Sequence, residues 1–294
     1  MAHDFNQQVI DEFRANGGRV GGYFEGARLI LLTTTGARSG AAHTTPLGYL
    51  PDGGERILVI GSAGGGPKHP AWFHNLVADP RVTVEDGVFV YDATATVLVG
   101  DERDRVFARA VEADHGWADY QAQTGRVLPV VALRQVPGPP RFGTADGQPS
   151  WGTALRLVHD AFRRELALIR AEVAGSGAGL GAQLRVNCLT VCQGLGLHHV
   201  GEDTAMFPAL AEHHPALAPT MARLRREHET IAALVEDLRQ VVSADGVSAD
   251  GVAAPVVLAE VDRLVDELER HLAYEEEQLI PILDAPAAVP AERG

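Results

Sequence analysis

Two phrases in the C-terminal half of the sequence share a pattern that few folds can satisfy. One reads His198-His199-Val200-Gly201-Glu202-Asp203-Thr204-Ala205-Met206-Phe207-Pro208, the other His271-Leu272-Ala273-Tyr274-Glu275-Glu276-Glu277-Gln278-Leu279-Ile280-Pro281. Each has a histidine, a glutamate four residues on, a further acid, two apolar residues and a proline. Residues i and i+4 of an α-helix lie one above the other, so each phrase turns an imidazole and a carboxylate towards one point. Two further histidines, His159 in LRLVHDAF and His228 in LRREHETI, sit on apolar helical faces of their own. One histidine on an apolar face is ordinarily a hydrogen-bonded core residue. Four on four helices, two with a glutamate, leave ionisable groups whose unpaired burial costs several kcal/mol each. A pair of cations removes that cost, and mixed nitrogen and oxygen ligation with two bridging carboxylates suits iron better than four-coordinate zinc.

The helical stretches themselves run over about Gly152–Val173, Ala182–Ala211, Ala216–Val242 and Ala254–Leu283, separated by AGSGAGLG, His214-Pro215 and a doubled VSADG. Four helices joined by modest connections predict an up-down bundle. His199 lies about 100° round its helix from His198 and is expected to be exposed or to support a ligand. Glu276 and Glu277 read as surface or supporting groups. Cys188 and Cys192 share a helix face without zinc or redox spacing and read as small buried hydrophobes.

The N-terminal half has a different texture. A helix around Val9, Ile10 and Phe13 is followed by short β-branched runs at Leu29–Thr35, Arg56–Ile60, Arg81–Glu85, Phe89–Val99 and Val127–Leu133, with a helix over Asp101–Glu112. Glu85-Asp86-Gly87 reads as a hairpin turn. Strands with a few interposed helices, and no regular βαβ alternation, predict an antiparallel barrel in an α+β domain. Pro137–Ser150, PGPPRFGTADGQPS, reads as the linker. The expected division is 1–136 for the barrel, 137–150 for the linker, 151–285 for the bundle and 286–294 for a tail.

Three phrases in the first half carry chemistry. Thr33-Thr34-Thr35-Gly36-Ala37-Arg38-Ser39-Gly40 ends a strand in a loop of exposed N–H groups beside a guanidinium, a combination that holds phosphate or carboxylate. Gly61-Ser62-Ala63-Gly64-Gly65-Gly66-Pro67-Lys68 is a second flexible turn, followed by Trp72-Phe73. Trp117 and Tyr120 precede Gly125-Arg126.

Two family resemblances follow from these motifs. Gly152–Asp284 resembles the hemerythrin HHE cation-binding family, which implies His159, His198, His228 and His271 as terminal ligands, with Glu202 and Glu275 bridging an oxo- or hydroxo-bridged iron pair. Ala232 stands where oxygen-carrying members have one more histidine, a nitrogen that His199 could supply instead, against its expected place as an exposed or supporting residue. Phe5–Leu133 resembles the deazaflavin-dependent nitroreductase family. That implies a split β-barrel, coenzyme F420 held by Arg38, Ser39, Gly40 and His43 with Ser62, Gly64, Lys68 and Trp72, and Tyr120, Trp117 and Ser62 facing substrate. Ala37, His43 and Ala63 stand where the family often has basic residues, so flavin mononucleotide remains the alternative cofactor. The fold class expected is thus a multidomain α+β chain, a split β-barrel fused to an all-α four-helix bundle.

Function classes narrow accordingly. The net charge of -14 is concentrated after residue 150, where 22 Asp and Glu face 12 Lys and Arg, a poor balance for nucleic-acid binding. No apolar run is long enough for a membrane span, and two cysteines without a leader pattern predict a cytoplasmic protein. The expected activity is an F420-dependent oxidoreductase acting on a quinone or nitro compound, fused to a diiron domain that binds or reduces O2, peroxide or NO. The alternative is a non-catalytic sensor or carrier with a degenerate cofactor barrel. A homodimer is one assembly open to either.

Overall fold

A computed structural model describes residues 2–54, 56–138, 141–143, 148–177, 179–243 and 254–285. The expected tail 286–294 and most of the two VSADG copies lie outside them. Helix α1 (Ala2–Ala15) precedes strands β1 (Leu29–Thr35), β2 (Ala42–Pro51) and β3 (Arg56–Ile60). Then come α2 (Ala71–Ala78), β4 (Arg81–Asp86), β5 (Phe89–Val97), α3 (Gly100–Ala113), α4 (Gly116–Gln123) and β6 (Val130–Gln135). All pairings are antiparallel, in the order β4-β1-β2-β3-β6-β5, and β5 pairs back to β4. The sheet therefore closes into a six-stranded barrel with no free edge.

Alternation decides what each strand face meets. Ile30 and Leu32 of β1 join Val59, Val131 and Leu133 in the lumen, whereas Leu29 and Leu31 turn outwards under Val9, Ile10 and Phe13 of α1. On the far side, Leu58, Ile60, Val130 and Ala132 turn outwards under Val106 and Ala110 of α3. Both faces of these strands are covered, so their sequences read as continuous apolar runs rather than as alternation. Two features escaped the sequence reading. β2, with Thr44-Thr45-Pro46 at its centre, is a ten-residue strand, and the stretch read as linker contributes a two-residue strand β7 (Arg141–Phe142) against β5.

Helices α5 (Trp151–Gly175), α6 (Ala182–Gly201), α8 (Ala218–Ser243) and α9 (Ala254–Leu283) form the bundle, with a short α7 (Phe207–His213) between α6 and α8. The Ser150 side chain caps α5 by accepting from the Thr153 N–H. Leu166, Ile169, Leu195, Ile231, Leu238 and Leu264 stand among the core residues, with Cys188 and Cys192 buried beside them as thiols. No described helix is long and apolar enough to cross a membrane.

The bundle packs against one end of the barrel. Arg28, just before β1, is bound by Glu165 at 2.6 Å and by Glu172, both on α5. Gln183 donates to the Pro51 carbonyl at 2.7 Å, the Gly54 N–H donates to Gln193 at 3.1 Å, and Arg164 donates to the Gly17 carbonyl at 3.0 Å. Gly87, at φ 61° in the β4–β5 hairpin, holds a left-handed conformation that favours glycine, and an added Cβ would stand 2.8 Å from the Arg164 guanidinium and displace it.

Candidate functional site

The six expected metal ligands converge in the bundle, and a seventh joins them. His159 (α5), His198 and His199 (α6), His228 (α8), His271 and Glu275 (α9) and Glu202 supply two groups of four. One is His199, Glu202, His228 and His271; the other is His159, His198, Glu202 and Glu275. Within each group the potential ligand atoms lie within 4.8 Å of one another. Glu202 belongs to both. Its Oε1 lies 3.0 Å from His198 Nε2 and its Oε2 lies 3.5 Å from His228 Nε2. Glu275 also reaches both groups, with Oε2 at 3.5 Å from His159 Nε2 and 3.6 Å from His271 Nε2.

His199 corrects the sequence reading. It is buried, and its ring stacks on that of His228 with centroids 4.2 Å apart. The useful reference is Glu202 rather than His198. At about 100° per residue, Glu202 falls about 40° from His198 and about 60° from His199 on the other side. The adjacent histidines thus straddle the shared glutamate, one in each group of four. After Glu202 the chain makes a π-helical turn, Glu202–Met206, closed by the Phe207 N–H on the Glu202 carbonyl. Pro208 has no N–H to offer Thr204, which loosens the α-helical register here. The turn brings Phe207 into a stack with His228, centroids 5.6 Å apart.

Supporting groups were only partly legible. His159 Nδ1 meets Glu276 Oε1 at 2.9 Å, and Arg163 holds that carboxylate at 2.8 Å. His271 Nδ1 meets Glu227 Oε2 at 3.0 Å, and Arg223 holds Glu227 at 2.6 Å. His228 Nδ1 faces Asp203 Oδ1 at 3.1 Å. A carboxylate on Nδ1 fixes the tautomer that leaves the Nε2 lone pair free. All five Nε2 atoms and all four oxygens of Glu202 and Glu275 are buried without a hydrogen-bond partner. His198 and Glu202, although close, are not aligned to bond. Burial lowers every one of these imidazoles, His198 to about 3 and His271 to about 4. Burial, with the neighbouring carboxylates, raises Glu202 to about 10 and Glu275 to about 8. Neutral imidazoles and carboxyls that resist ionising alone make a donor set that fits cations.

In the barrel, the three expected cofactor phrases reach one pole, opposite the bundle. β1 runs from Leu29, near the bundle, to Thr35, and β3 runs the same way to Ile60. A cavity of about 870 Å³ at that pole is lined by Arg38, Ser39, His43 and Trp72, together with Asn75 and Arg14. Asn75 accepts from the Ala37 N–H at 3.0 Å and donates to Thr34 at 3.1 Å, tying α2 to the loop. Gly36 is enforced, since an added Cβ would stand 2.4 Å from the Ser39 hydroxyl. Gly40 turns the same loop at φ 68°. Arg38 and Lys68 are exposed and make no ion pair among the described residues.

Ser62, Gly64, Lys68, Trp117 and Tyr120 do not line this cavity. Trp117 and Tyr120 lie on α4, packed on the outward faces of β3 and β6, and the Tyr23 hydroxyl raises the Tyr120 pKa. Arg126 was missed. Its guanidinium donates to the carbonyls of Gly61 (3.0 Å), Ser62 (2.7 Å) and Gly66 (3.1 Å) and meets His69 Nδ1 at 3.0 Å. The sequence signal was an arginine next to a glycine, which alone points nowhere.

Residues 6–135 match the F420H(2)-dependent quinone reductase family, and residues 153–289 match the hemerythrin HHE cation-binding domain. F420H(2)-dependent quinone reductases of the Mycobacterium tuberculosis strains H37Rv and CDC 1551 are each 34% identical over 125 residues, which is 41% of this chain and 83% of theirs. A solved F420-H2 dependent reductase (FDR-A) is 42% identical, covering 36% of this chain and 94% of that one, with a TM-score of 0.34. Through its barrel this chain belongs to the F420H(2)-dependent quinone reductase family, and its bundle is a hemerythrin HHE cation-binding domain.

Proposed function

We propose that the chain is an F420H2-dependent quinone reductase whose bundle holds two irons for a small ligand: dioxygen, peroxide or nitric oxide. One observation carries the metal half, the nine buried ligand atoms of five histidines and two glutamates with no hydrogen-bond partner. Bound there, an iron pair supplies reversible binding or reduction of such ligands. The chain's own contributions are distinct. Glu276 and Glu227 keep Nε2 of His159 and His271 free, the two buried glutamates balance the cation charge, and the apolar bundle excludes water. Glu202 and Glu275, reaching both groups, are the bridging candidates.

On the barrel, family membership supports the reading. Arg38, Ser39 and His43 line the loop-pole cavity, which supports an anionic cofactor held there by their side chains and the loop N–H groups, with Lys68 and the Ser62–Gly66 turn as further contacts. Reduced F420 supplies a hydride when bound, and a quinone or nitro compound beside it is the acceptor. Hydride transfer needs reacting atoms about 3–3.5 Å apart. A cofactor at the loop pole is separated from the bundle by the length of β1, about 20 Å, so no hydride passes directly to the metal centre. Ala37 and Ala63, where basic residues are usual, favour the second reading, a degenerate barrel joined to a sensor or carrier.

Titration of the purified protein with F420, followed by cofactor fluorescence, tests the barrel: saturation at micromolar cofactor supports the first reading, and none supports the second. Metal analysis with an absorption spectrum tests the bundle separately. Close to two irons per chain with an oxo-to-iron charge-transfer band are expected; fewer than about one without the band would sink the diiron reading.

A further inference from the structure

The barrel has a second mouth, at the end facing the bundle. There the lumen does not close on itself. Tyr49, Ile57 and Tyr91 end the lumen packing, and beyond them lies a cleft of about 610 Å³ whose other wall is formed by Val158, Ala161 and Phe162 of α5 and Val191 and Gly194 of α6. Clefts of this size, between domains and at barrel mouths, are where small ligands bind.

The lining sets the class of ligand. Most of its surface is apolar and aromatic, although the charged side chains of Asp86, Asp92, Arg141, Arg164 and Glu165 also border it, with Gln135 and Thr190. Tyr91 lines the cleft, and its hydroxyl has no hydrogen-bond partner among the described residues. The Tyr49 hydroxyl reaches Asp86 only at 3.5 Å. A flat apolar ring with oxygen at its edge satisfies both, as an acceptor for Tyr91 and, when it carries hydroxyls, as a donor to Asp86.

The position matters as well. Phe162 forms part of the wall, and its ring centroid is 5.3 Å from that of His198. The His198 side chain keeps 12% of its exposure, against none for His159 and His271. One phenyl ring thus separates the cleft from the most accessible of the candidate ligands.

We propose that this cleft is a second binding site for a quinone or its quinol, distinct from the loop pole and adjacent to the metal centre. The ligand class rests on the quinone-reductase reading above; the site itself rests on the cleft. A diffusible quinone is then the species that both ends of the molecule recognise.

The test is calorimetric titration of the full chain with menadione, alongside F420H2-dependent menadione reduction. Ala161→Trp fills the cleft, and Tyr91→Phe removes one hydroxyl. Ala161→Trp is expected to remove one equivalent of bound menadione per chain while reduction stays within about twofold of wild type. Tyr91→Phe is expected to weaken that same equivalent about tenfold, the loss of one buried hydrogen bond. Bound equivalents and affinities unchanged in both variants overturn the site. If Ala161→Trp disturbs folding, Tyr91→Phe decides alone, and an unaltered affinity overturns the proposal. Decanoate displacing that equivalent with equal affinity overturns the ring class. Absence of F420H2-dependent reduction, with the cleft equivalent present and lost in the variants, removes the barrel reading and leaves the site standing.

Discussion

His199 and His228 lie face to face, their ring planes 11° apart and their centroids 4.2 Å apart, and both turn Nε2 into the same buried group as Glu202 and His271. The stack joins α6 to α8. It gives the position of His199, Glu202, His228 and His271 three nitrogens, and that of His159 and His198 two. In the proposed metal centre this asymmetry would leave the second position the more open to an incoming ligand.

Replacing His199 by Ala removes one nitrogen from the richer position without touching Glu202. Iron affinity there is expected to fall by at least about tenfold, the lower bound for perturbing a metal shell. Stoichiometry should drop from about two towards one per chain at limiting iron, read by elemental analysis after dialysis. Undiminished iron content would make His199 a packing residue.

Glu276→Gln tests a supporting group rather than a ligand. The amide can still meet His159 Nδ1, but it loses the charge that orients the imidazole and is itself held by Arg163. A loss of about 10–100-fold in iron affinity is expected, with the metal-free protein folded as before by circular dichroism. An effect on folding without one on affinity would assign Glu276 to bundle packing.

Much of this was legible in the sequence, for identifiable reasons. The i, i+4 His–Glu pairs fix helical faces and yield four of the seven converging residues, and His159 and His228 follow from the apolar faces they sit on. His199 did not, because it was measured against His198 rather than against the glutamate between them. β2 did not, because Thr44, Thr45 and Pro46 resemble a loop, and only pairing to β1 makes them a strand. Arg126 and Arg28 act through partners 57 or more residues away, a separation that no local pattern encodes.

Arg28 is the interdomain fastening with the most to lose. Its side chain is 9% exposed and binds both Glu165 and Glu172; burial works against its charge, and the two carboxylates more than offset that. Arg28→Ala leaves two acids at the interface without their cation, a change expected to cost on the order of 3 kcal/mol. Calorimetry should then resolve barrel and bundle as separate transitions. One unshifted transition would show that the interface does not depend on this pair.

Asp86, beside the cleft, gives a pH signature away from the metal ligands. Burial raises its pKa to about 6, opposed by Arg164. A carboxyl raised above its unfolded value, about 3.9, contributes stability that is complete below that value and is lost as pH rises through about 6. Asp86→Asn removes this slope. Melting temperatures of variant and wild type should diverge between pH 4 and 7, with the variant higher by a few degrees at pH 7.5. A variant less stable at pH 7.5 would mean that the charged form is held by Arg164 and is needed at the interface.

Arg126 makes the sharpest prediction for the barrel. One guanidinium gathers three carbonyls of the Gly61–Gly66 turn, and no carboxylate among the described residues neutralises it. Its fork spans acceptors on both sides of the turn, which a lysine ammonium cannot do. Hydrogen bonds from a charged donor contribute about 1.5–3 kcal/mol each, so the turn's shape depends on this side chain. Arg126→Lys keeps the charge and loses the fork. If the turn's shape governs cofactor binding, F420 affinity falls about tenfold or more in Arg126→Lys and in Arg126→Ala alike. If the charge governs it, Arg126→Lys stays near wild type and only Arg126→Ala falls. The bundle, at the other end of the barrel, serves as the internal control. Its iron content should be unchanged in both variants, and a parallel loss of iron would trace the effect to general unfolding instead.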